Sequence, residues 1–447
     1  MTTNASPAPL EKASSGSLSK QQRTFIVKLT LLISGGMFID GFILGGIGIV
    51  MPAITQDLNL SLGWQGLIGA SALIGIFIGG PLGGLLADKI GRRPMFAIDL
   101  GIFLIGSAAQ FFVADAWQLF LVRLLMGAAI GADYAIGWPL LAEFAPAKMR
   151  GRLLSIQQVG WYAGYLISYA LGYVLTVFDI ANWNIILGLS TIPTVIVFLM
   201  RLGTPESPRW LMSKGRTEEA QAIAKVYMNE EERRDLLAPT PHQKLGFFHL
   251  FSRDYIRATV FVCVFWVCIV TPYFAIGTFA PFVLEQLGMD DGLTAGLAFN
   301  AIAVAGTVLT AMLIERVGRR RLAIPPFWVS AIALVILGIF ADAPPLVVVS
   351  CVLIFSFVNA INGTVVDVYP GEVFPTEIRG AGVGFATAVS RVGAAAGTFL
   401  MPMSVSALGI STTMLIAAGI SLIGGIVSQV LAPETTGKPL SETSASS

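Results

Sequence analysis

The second half of this chain repeats the first at an offset of about 228 residues. The segment Glu-Phe-Ala-Pro-Ala-Lys-Met-Arg-Gly at 143–151 returns as Glu-Val-Phe-Pro-Thr-Glu-Ile-Arg-Gly at 372–380. A second motif, Asp-Lys-Ile-Gly-Arg-Arg at 88–93, returns as Glu-Arg-Val-Gly-Arg-Arg at 315–320. Motifs that recur in the same order at one offset indicate a duplicated unit. Apolar stretches of membrane-spanning length lie between them, so the sequence predicts two similar membrane bundles that face each other.

The composition requires lipid as the solvent. The chain is 55% hydrophobic and only 12% charged, with a mean hydropathy of +0.76, which is more apolar surface than a water-soluble protein of 447 residues could bury. The net charge of +1 gives no reason to expect nucleic-acid binding. All cysteines fall in apolar segments, where we expect packing and neither a disulfide nor a metal site, at Cys263, Cys268 and Cys351.

Twelve apolar segments are long enough to cross a bilayer, which takes about 20 residues as a helix. Boundaries read from one sequence are good to a few residues. The predicted spans are 28–52, 65–87, 95–113, 117–142, 153–176, 181–201, 256–284, 292–314, 322–341, 345–369, 381–405 and 408–431.

Positive charges are confined to one set of connections between these spans. Because cytoplasmic loops carry an excess of Lys and Arg, this bias predicts a multi-pass protein of the inner membrane with both termini in the cytoplasm. The alternate connections hold seven Asp or Glu residues and no Lys or Arg, near 57, 115, 179, 285–291, 342 and 406.

The predicted organisation has five parts. Residues 1–24 are polar and lack the apolar core of a signal peptide, so we expect a disordered cytoplasmic tail. A six-helix half at 25–201 and a second at 256–432 flank a cytoplasmic linker with amphipathic helices at 202–255. Residues 433–447 form a second tail.

Several loop segments resemble those of a known superfamily. Residues 84–93, Gly-Leu-Leu-Ala-Asp-Lys-Ile-Gly-Arg-Arg, resemble the signature loop between helices 2 and 3 of the major facilitator superfamily. Residues 205–211 and 433–438 resemble signatures of its sugar porters, and the match runs from about residue 28 to 440. The resemblance implies an all-α membrane fold of twelve helices in two halves, and a secondary transporter that works by alternating access.

Other segments resemble carriers of different cargo. Sugar porters usually carry a Gln-Gln pair and an Asn in helix 7, whereas residues 265–273 read Phe-Trp-Val-Cys-Ile-Val-Thr-Pro-Tyr. Helix 4 reads Gly-Ala-Asp-Tyr-Ala-Ile-Gly at 131–137, which is similar to proton-coupled phosphate carriers. Residues 369–393 resemble metabolite and organic-ion carriers, and we place the chain in that branch.

Three charged residues predicted to lie inside the bilayer are candidates for proton coupling. A charge at the bilayer centre costs about 2.5–3.5 kcal/mol, so each requires a partner or a role. By resemblance to proton-coupled sugar porters, Asp40 would pair with Arg123 and exchange a proton; a fixed ion pair between helices 1 and 4 is the alternative. Asp133 lies about 15 Å beyond Arg123 along helix 4. Its resemblance to phosphate carriers implies proton or substrate binding, with a helix-packing hydrogen bond as the alternative.

Arg391 in helix 11 is the predicted anchor for an anion. The resemblance to organic-ion carriers points to this position, and a guanidinium can grip a carboxylate with two parallel hydrogen bonds. An ion pair between Arg391 and Asp367 is the alternative. Amide and aromatic side chains complete the candidate substrate site: Gln158, Trp161, Tyr162 and Tyr165 on one face of helix 5, Gln157 at its edge, and Tyr134, Trp266, Tyr273, Asn300, Asn359 and Asn362 elsewhere.

Charged residues in the repeated loops are predicted to act as a gate. They can form ion pairs across the cytoplasmic mouth that break as the halves rock. Asp99, near the start of helix 3, is expected to be a structural charge at the cytoplasmic side. The predicted gate residues are Asp88, Arg92, Glu143, Arg150, Arg152, Glu315, Arg319, Asp367, Glu372 and Arg379.

The sequence therefore predicts a proton-coupled symporter that imports a small organic anion such as a carboxylate or an aromatic acid. A proton-coupled sugar or polyol importer is the alternative, and a proton-antiporting exporter is a third. The expected partners are the substrate, protons and the lipid bilayer, with no nucleic acid and no cofactor, and the chain is expected to act as a monomer. An enzyme is not expected, and direct use of ATP is not expected because no Gly-x-x-x-x-Gly-Lys-Ser/Thr motif occurs.

Overall fold

A computed structural model gives the architecture at side-chain level. Within the ranges it describes, the chain forms helices joined by short turns and no strand. The described residues are 19–145, 149–201, 203–237, 247–289, 291–340, 343–366, 368–374 and 378–435.

The first half makes six passes, of which the sixth is split into two helices at Leu189 and Ser190. These helices agree within a few residues with the spans expected from hydropathy. In chain order they are α1 Lys20–Asp57, α2 Leu62–Ile90, α3 Arg92–Ala109, α4 Ala116–Phe144, α5 Arg150–Val177, α6 Trp183–Gly188 and α7 Thr191–Arg201.

The second half repeats this plan after a connection that contains three short helices. The connection holds α8 Pro208–Ser213, α9 Thr217–Tyr227 and α10 Glu230–Leu237. The second half holds α11 Ile256–Thr278, α12 Ala280–Gln286, α13 Gly292–Val317, α14 Arg319–Ile339, α15 Pro345–Val366, α16 Tyr369–Val373 and α17 Arg379–Leu431.

Twelve membrane passes follow from these helices. Ten stretches of the described chain are both long and apolar enough to cross a membrane. The stretch that corresponds to α17 contains two passes, because Gly409 adopts a φ of 78° and interrupts the helix. Helix α5 is not among the ten, since amides and tyrosines lower its hydropathy, but its 28 residues are long enough to span. The twelve-helix prediction is confirmed.

The duplication is visible in the backbone as well as in the sequence. Gly91 ends α2 with a φ of 101°, and Gly318 ends α13 with a φ of 97°. A residue with a side chain is strained in this region, so the same tight turn requires glycine in both halves. Both turns lie at the end of the bundle that carries the Arg-rich loops, which we call the basic end. The other end, where α2 and α13 begin, is the acidic end.

Small residues bring the helices within each half into close contact. A Cβ atom on Gly79 of α2 would lie 1.9 Å from the carbonyl oxygen of Ala128 in α4, and one on Gly127 of α4 would lie 2.1 Å from the carbonyl oxygen of Ala72. In α1, a Cβ on Gly41 would lie 2.0 Å from the carbonyl oxygen of Trp161 in α5. Lipid provides no hydrophobic drive for helix association, so close backbone packing of this kind holds the helices together.

The α2–α4 contact leads to a test of stability. We expect Gly79→Ala to destabilise the protein by about 1–3 kcal/mol, the usual cost of overpacking a tight core, because backbone faces the new methyl group. The same change at Gly419, around which there is open space, should be neutral or slightly stabilising. Thermal unfolding of the two purified variants provides the comparison, and equal melting temperatures would contradict this packing argument.

Candidate functional site

A space between the two halves lies near the middle of the bundle. About 50 Å³ there is open to a water-sized molecule, so in this conformation the space is much smaller than the roughly 300–1,000 Å³ of a usual small-molecule site, and a substrate would enter it only in a more open conformation. Both halves contribute to its wall. The lining residues are Met37, Tyr134, Trp138, Gln158, Trp161, Tyr162, Trp266, Ile269, Val270, Tyr273, Phe274, Asn359, Gly363, Val366 and Arg391.

The wall of this central space is mainly aromatic. The rings of Trp161 and Tyr162 meet edge to face with centroids 5.0 Å apart, and Tyr273 from the other half lies 5.9 Å from Tyr162. On a further side, Tyr134 and Trp138 stack nearly parallel at 5.4 Å. Trp161 and Tyr162 are consecutive residues of α5, about 100° apart around the helix, and both reach this space. Such rings offer flat apolar faces with hydroxyl groups at their rims.

Among the described residues that line the central space, Arg391 is the one cation. It lies in α17 and is 7% exposed. Its guanidinium carbon is 5.7 Å from the ring centre of Tyr134 and 5.9 Å from that of Phe274, within the range of cation–π attraction. The rings therefore hold the guanidinium at the wall of the space and exclude water from it.

Amide side chains divide between the central space and the packing around it. Gln158 Nε2 donates across the two halves to the carbonyl of Gly363 (3.4 Å), and Asn359 Nδ2 donates to the carbonyl of Ile269 (3.2 Å). Asn300 instead bonds within its own helix, to the carbonyl of Gly296. The Asn362 amide lies 3.0 Å from the carbonyl of Ala323, so it connects α15 to α14. Gln157 is fully buried and does not line the space.

Asp40 and Arg123 do not form the ion pair that the resemblance implied. Both side chains are fully buried. Arg123 Nη1 donates weakly to the carbonyl of Ile43 (3.4 Å), and its Nε and Nη2 atoms have no hydrogen-bond partner in the described chain. Neither carboxylate oxygen of Asp40 accepts a hydrogen bond there. In this conformation Asp40 instead lies within electrostatic range of Asp133, Arg201 and Arg391.

Asp133 has a partner that the sequence analysis missed. Arg201 at the end of α7 places Nη1 2.8 Å from Oδ1 and Nη2 3.2 Å from Oδ2 of Asp133. The same Nη1 lies 3.7 Å from Asp99 Oδ2. Asp99 is 1% exposed, so it is buried and does not lie at the surface. Arg201 is the last residue of an apolar span, where an arginine usually lies at the membrane surface. The signal in the sequence that could have indicated its role is that Asp99 and Asp133 both lie in apolar spans and need a positive partner.

The predicted gate residues of the first half form a network within that half. Arg92 Nη1 lies 2.9 Å from Glu143 Oε1, and Glu143 accepts a hydrogen bond from the hydroxyl of Ser207. Glu206 accepts the backbone amides of Arg92 (2.9 Å) and Arg93 (3.1 Å) at the start of α3. This is the position where a helix stabilises negative charge.

The second half repeats this network with different members. Arg319 bonds Glu315 and Glu372, each with a closest contact of 2.9 Å, and Glu372 accepts the hydroxyl of Thr435 (2.6 Å). Ser207 and Thr435 occupy equivalent positions in the repeat, a signal that could have added both to the predicted set.

The other predicted gate residues take no part in these two networks or lie outside the described residues. Asp88 contributes a backbone carbonyl, which accepts from Trp210 Nε1 (3.0 Å), and Arg152 is exposed. Asp367 and the side chains of Arg150 and Arg379 lie outside the described residues. The ion pairs of Arg92 with Glu143, and of Arg319 with Glu315 and Glu372, each lie within one half. The predicted ion pairs across the cytoplasmic mouth belong to the outward-open conformation and stay a prediction.

The two halves close on each other at the acidic end. The hydroxyl groups of Tyr173 and Thr294 lie 2.8 Å apart across the interface. The ring of Tyr169 packs directly on Gly296, where a Cβ atom would lie 2.0 Å from its hydroxyl oxygen. Gly66 of α2 packs against the backbone of Phe399 in the same way. The central space is therefore covered from the acidic end.

Two repeated bundles around a shared central space, with one closed end, define a multi-pass membrane transporter of small molecules and not an enzyme. The family model described as sugar (and other) transporter matches residues 23–446. The chain belongs to this family of the major facilitator superfamily.

Relatives cover nearly the whole chain. The inner membrane metabolite transport protein YgcS of Escherichia coli K12 is 36% identical over 93% of both chains. The putative metabolite transport protein YaaU of the same organism is 36% identical over 93% of this chain and 94% of its own. The structure of the proton:xylose symporter XylE bound to 6-bromo-6-deoxy-D-glucose superposes with a TM-score of 0.80 at 25% identity, covering 95% of this chain and 99% of that one.

The contact at Gly296 leads to a test of closure. We expect Gly296→Leu to hold the acidic end open, because Tyr169 fills the space that the new side chain needs. A reporter cysteine, Gln158→Cys in the central space, should then react several-fold faster with a membrane-impermeant thiol reagent applied from the acidic-end side. Gly384→Leu, at a glycine with open space around it, is the matched control. Equal labelling rates in the two variants would show that this contact does not close the bundle.

Proposed function

We propose that the protein imports a small organic anion, such as a carboxylate or an aromatic acid, together with protons, by alternating access. The observation that supports this most strongly is the buried guanidinium of Arg391 in the wall of the central space. A cation removed from water there attracts an anion far more strongly than one at the surface. Its planar fork matches a carboxylate with two parallel hydrogen bonds.

The aromatic wall favours a flat cargo. Trp161, Tyr162 and Tyr273 present ring faces and edges toward the same space, and Tyr134 lies beside the guanidinium. An aromatic acid could place its ring among these side chains and its carboxylate on Arg391. The amides of Gln158 and Asn359 would then orient the polar groups of the substrate.

Asp40 is the proposed carrier of the transported proton. An ionised carboxylate without hydrogen bonds is unfavourable in the membrane interior, and a proton removes its charge. Asp40 also lies within the electrostatic field of Arg391. An anion bound to Arg391 would offset that field, so binding of the anion and binding of the proton favour one another. Arg123 and Asp133 would tune the protonation of Asp40.

A proton-coupled sugar or polyol importer is the second candidate. It is favoured by the likeness to the proton:xylose symporter and by the two amides in the wall, which could bind hydroxyl groups. The part of the wall that α11 contributes argues against a sugar or polyol as the cargo. That helix presents Trp266, Ile269, Val270, Tyr273 and Phe274. None of these supplies a side-chain amide.

The proposed orientation follows from the charge bias of the loops. The basic end would face the cytoplasm together with both termini and the connection at 202–255, because positive loops are retained inside. The contacts at the acidic end would then close the outer side, so the structure would correspond to a stage of the cycle that is closed to the outside. The networks centred on Glu143 and Glu372 would act as gate elements at the inner mouth. The chain would function as a monomer, with substrate, protons and lipid as its partners.

Uptake into proteoliposomes under an inward proton gradient tests this function. Arg391→Gln should raise the KM for an acid roughly 10- to 100-fold, since a hydrogen bond to a charged group contributes about 1.5–3 kcal/mol. Arg391→Lys should give an intermediate KM, because lysine keeps the positive charge but lacks the planar guanidinium that forms two parallel hydrogen bonds. Asp40→Asn should abolish gradient-driven accumulation and retain exchange of substrate across the membrane.

The controls for this assay are an exposed charge and a neutral cargo. Arg234→Gln, in the exposed helix α10, should transport as the parent protein does. Labelled hexoses and inositol are tested beside aliphatic and aromatic acids. Uptake of a sugar that is indifferent to Arg391→Gln would overturn the anion proposal and favour the second candidate.

A further inference from the structure

A cluster of charged side chains lies outside the central space, between α3, α4 and α7. It consists of Asp99, Asp133 and Arg201, and each of them is at least nine-tenths buried. The guanidinium of Arg201 makes two hydrogen bonds to Asp133 and a longer contact of 3.7 Å to Asp99. Two acids therefore share one base.

The surroundings of the cluster exclude water. The guanidinium of Arg201 packs on the ring of Phe96 at 4.6 Å, and its Nε lies 3.5 Å from the carbonyl of Leu32 in α1. Helix α1 also covers the ion pair at Gly36, where a Cβ atom would lie 1.9 Å from Nη2 of Arg201. The absence of a side chain at Gly36 lets the backbone of α1 rest on the pair.

The charges within the cluster do not balance if both acids are ionised. One guanidinium would then face two carboxylates and leave a net negative charge in a dry site. Asp99 and Asp133 both lie against the same guanidinium nitrogen, Nη1 of Arg201, at 3.7 Å and 2.8 Å, and two carboxylates held this close together favour a proton on one of them. Asp99 Oδ2 is buried and accepts no hydrogen bond from the described protein.

Among the described residues, the other titratable groups within electrostatic range of this cluster include Asp40 of α1 and Tyr134 of α4, and neither carries a positive charge. Arg391 acts on Asp40 from the far side of the central space. Asp40 cannot supply the missing positive charge, because it is itself an acid. The remaining way to balance the cluster is a proton.

We propose that Asp99, Asp133 and Arg201 form a proton-binding site that holds one proton in addition to the proton carried by Asp40. With one proton, the cluster contains one carboxylic acid, one carboxylate and one guanidinium, and it is electrically neutral. Its participation in the transport cycle rests on the proposed function. The bound proton itself follows from the charge balance and holds for any cargo.

Infrared spectroscopy of the full chain in lipid nanodiscs, without substrate, tests this site. The carbonyl band of protonated carboxyl groups at neutral pH should lose the intensity of one group in Asp99→Asn, and of one group in Asp133→Asn. In each single variant the remaining carboxylate pairs with Arg201 and needs no proton. The double variant should also lose one group and not two, because the cluster holds one proton.

The control is Asp179→Asn at the acidic end, an exposed residue with a φ of 51° that asparagine adopts readily. It should leave the band unchanged, and Asp40→Asn should remove a separate group. Both single variants replace an acid by a neutral group of the same shape, and their folding is checked by thermal unfolding. An unchanged band in either folded single variant would overturn the site. Failure to transport an anion would overturn only the proposed function, since this measurement uses no substrate.

Discussion

A charge placed in the hydrocarbon region must find an opposite charge or lose its own, and this constraint organises the first half of the protein. Arg201 satisfies it by joining Asp99 and Asp133, which lie on two other helices. Because breaking a buried pair by removing one partner costs about 3–5 kcal/mol, the pair fixes how α3, α4 and α7 meet. Gly36 then lets α1, which carries Asp40, pack directly on that pair. The position of Asp40 thus depends on the ion pair behind it.

The ion-pair networks of the duplicated loops stabilise each half separately. In each half an arginine, a glutamate and a hydroxyl group tie the start of a helix to the segment that follows the sixth or twelfth pass: Arg92, Glu143 and Ser207 in one, and Arg319, Glu372 and Thr435 in the other. These bonds stay within a half, so they stiffen each bundle without joining it to its neighbour. A bundle made rigid in this way can rock as one body.

The fold was predictable because long apolar segments and repeated motifs are local properties of a sequence. All twelve passes agree with the predicted spans, including the split at Gly409. The candidate site was harder to predict from the sequence. Arg391, Trp161, Tyr162 and Tyr273 do meet in one space, since each lies at the middle of its span. Asn300 and Asn362 do not join them, because the direction in which a side chain points depends on the rotation of its helix. The pairing of Asp133 with Arg201 instead of solvent depends on how three helices converge, and no spacing in the sequence encodes it.

Asp40 and Arg391 come from opposite halves, and this links binding to motion. Asp40 belongs to the first half and Arg391 to the second, so their attraction acts across the interface that must open. A proton would remove the negative charge of Asp40, and a bound anion would offset the positive charge of Arg391. If only one were bound, an uncompensated charge would remain in the dry interior. With both absent, the two charges balance each other across the interface, and with both bound, neither charge is left uncompensated. Under the proposed function, coupled transport would then follow from charge balance, and the contacts of small residues at the acidic end need only be weak enough to open.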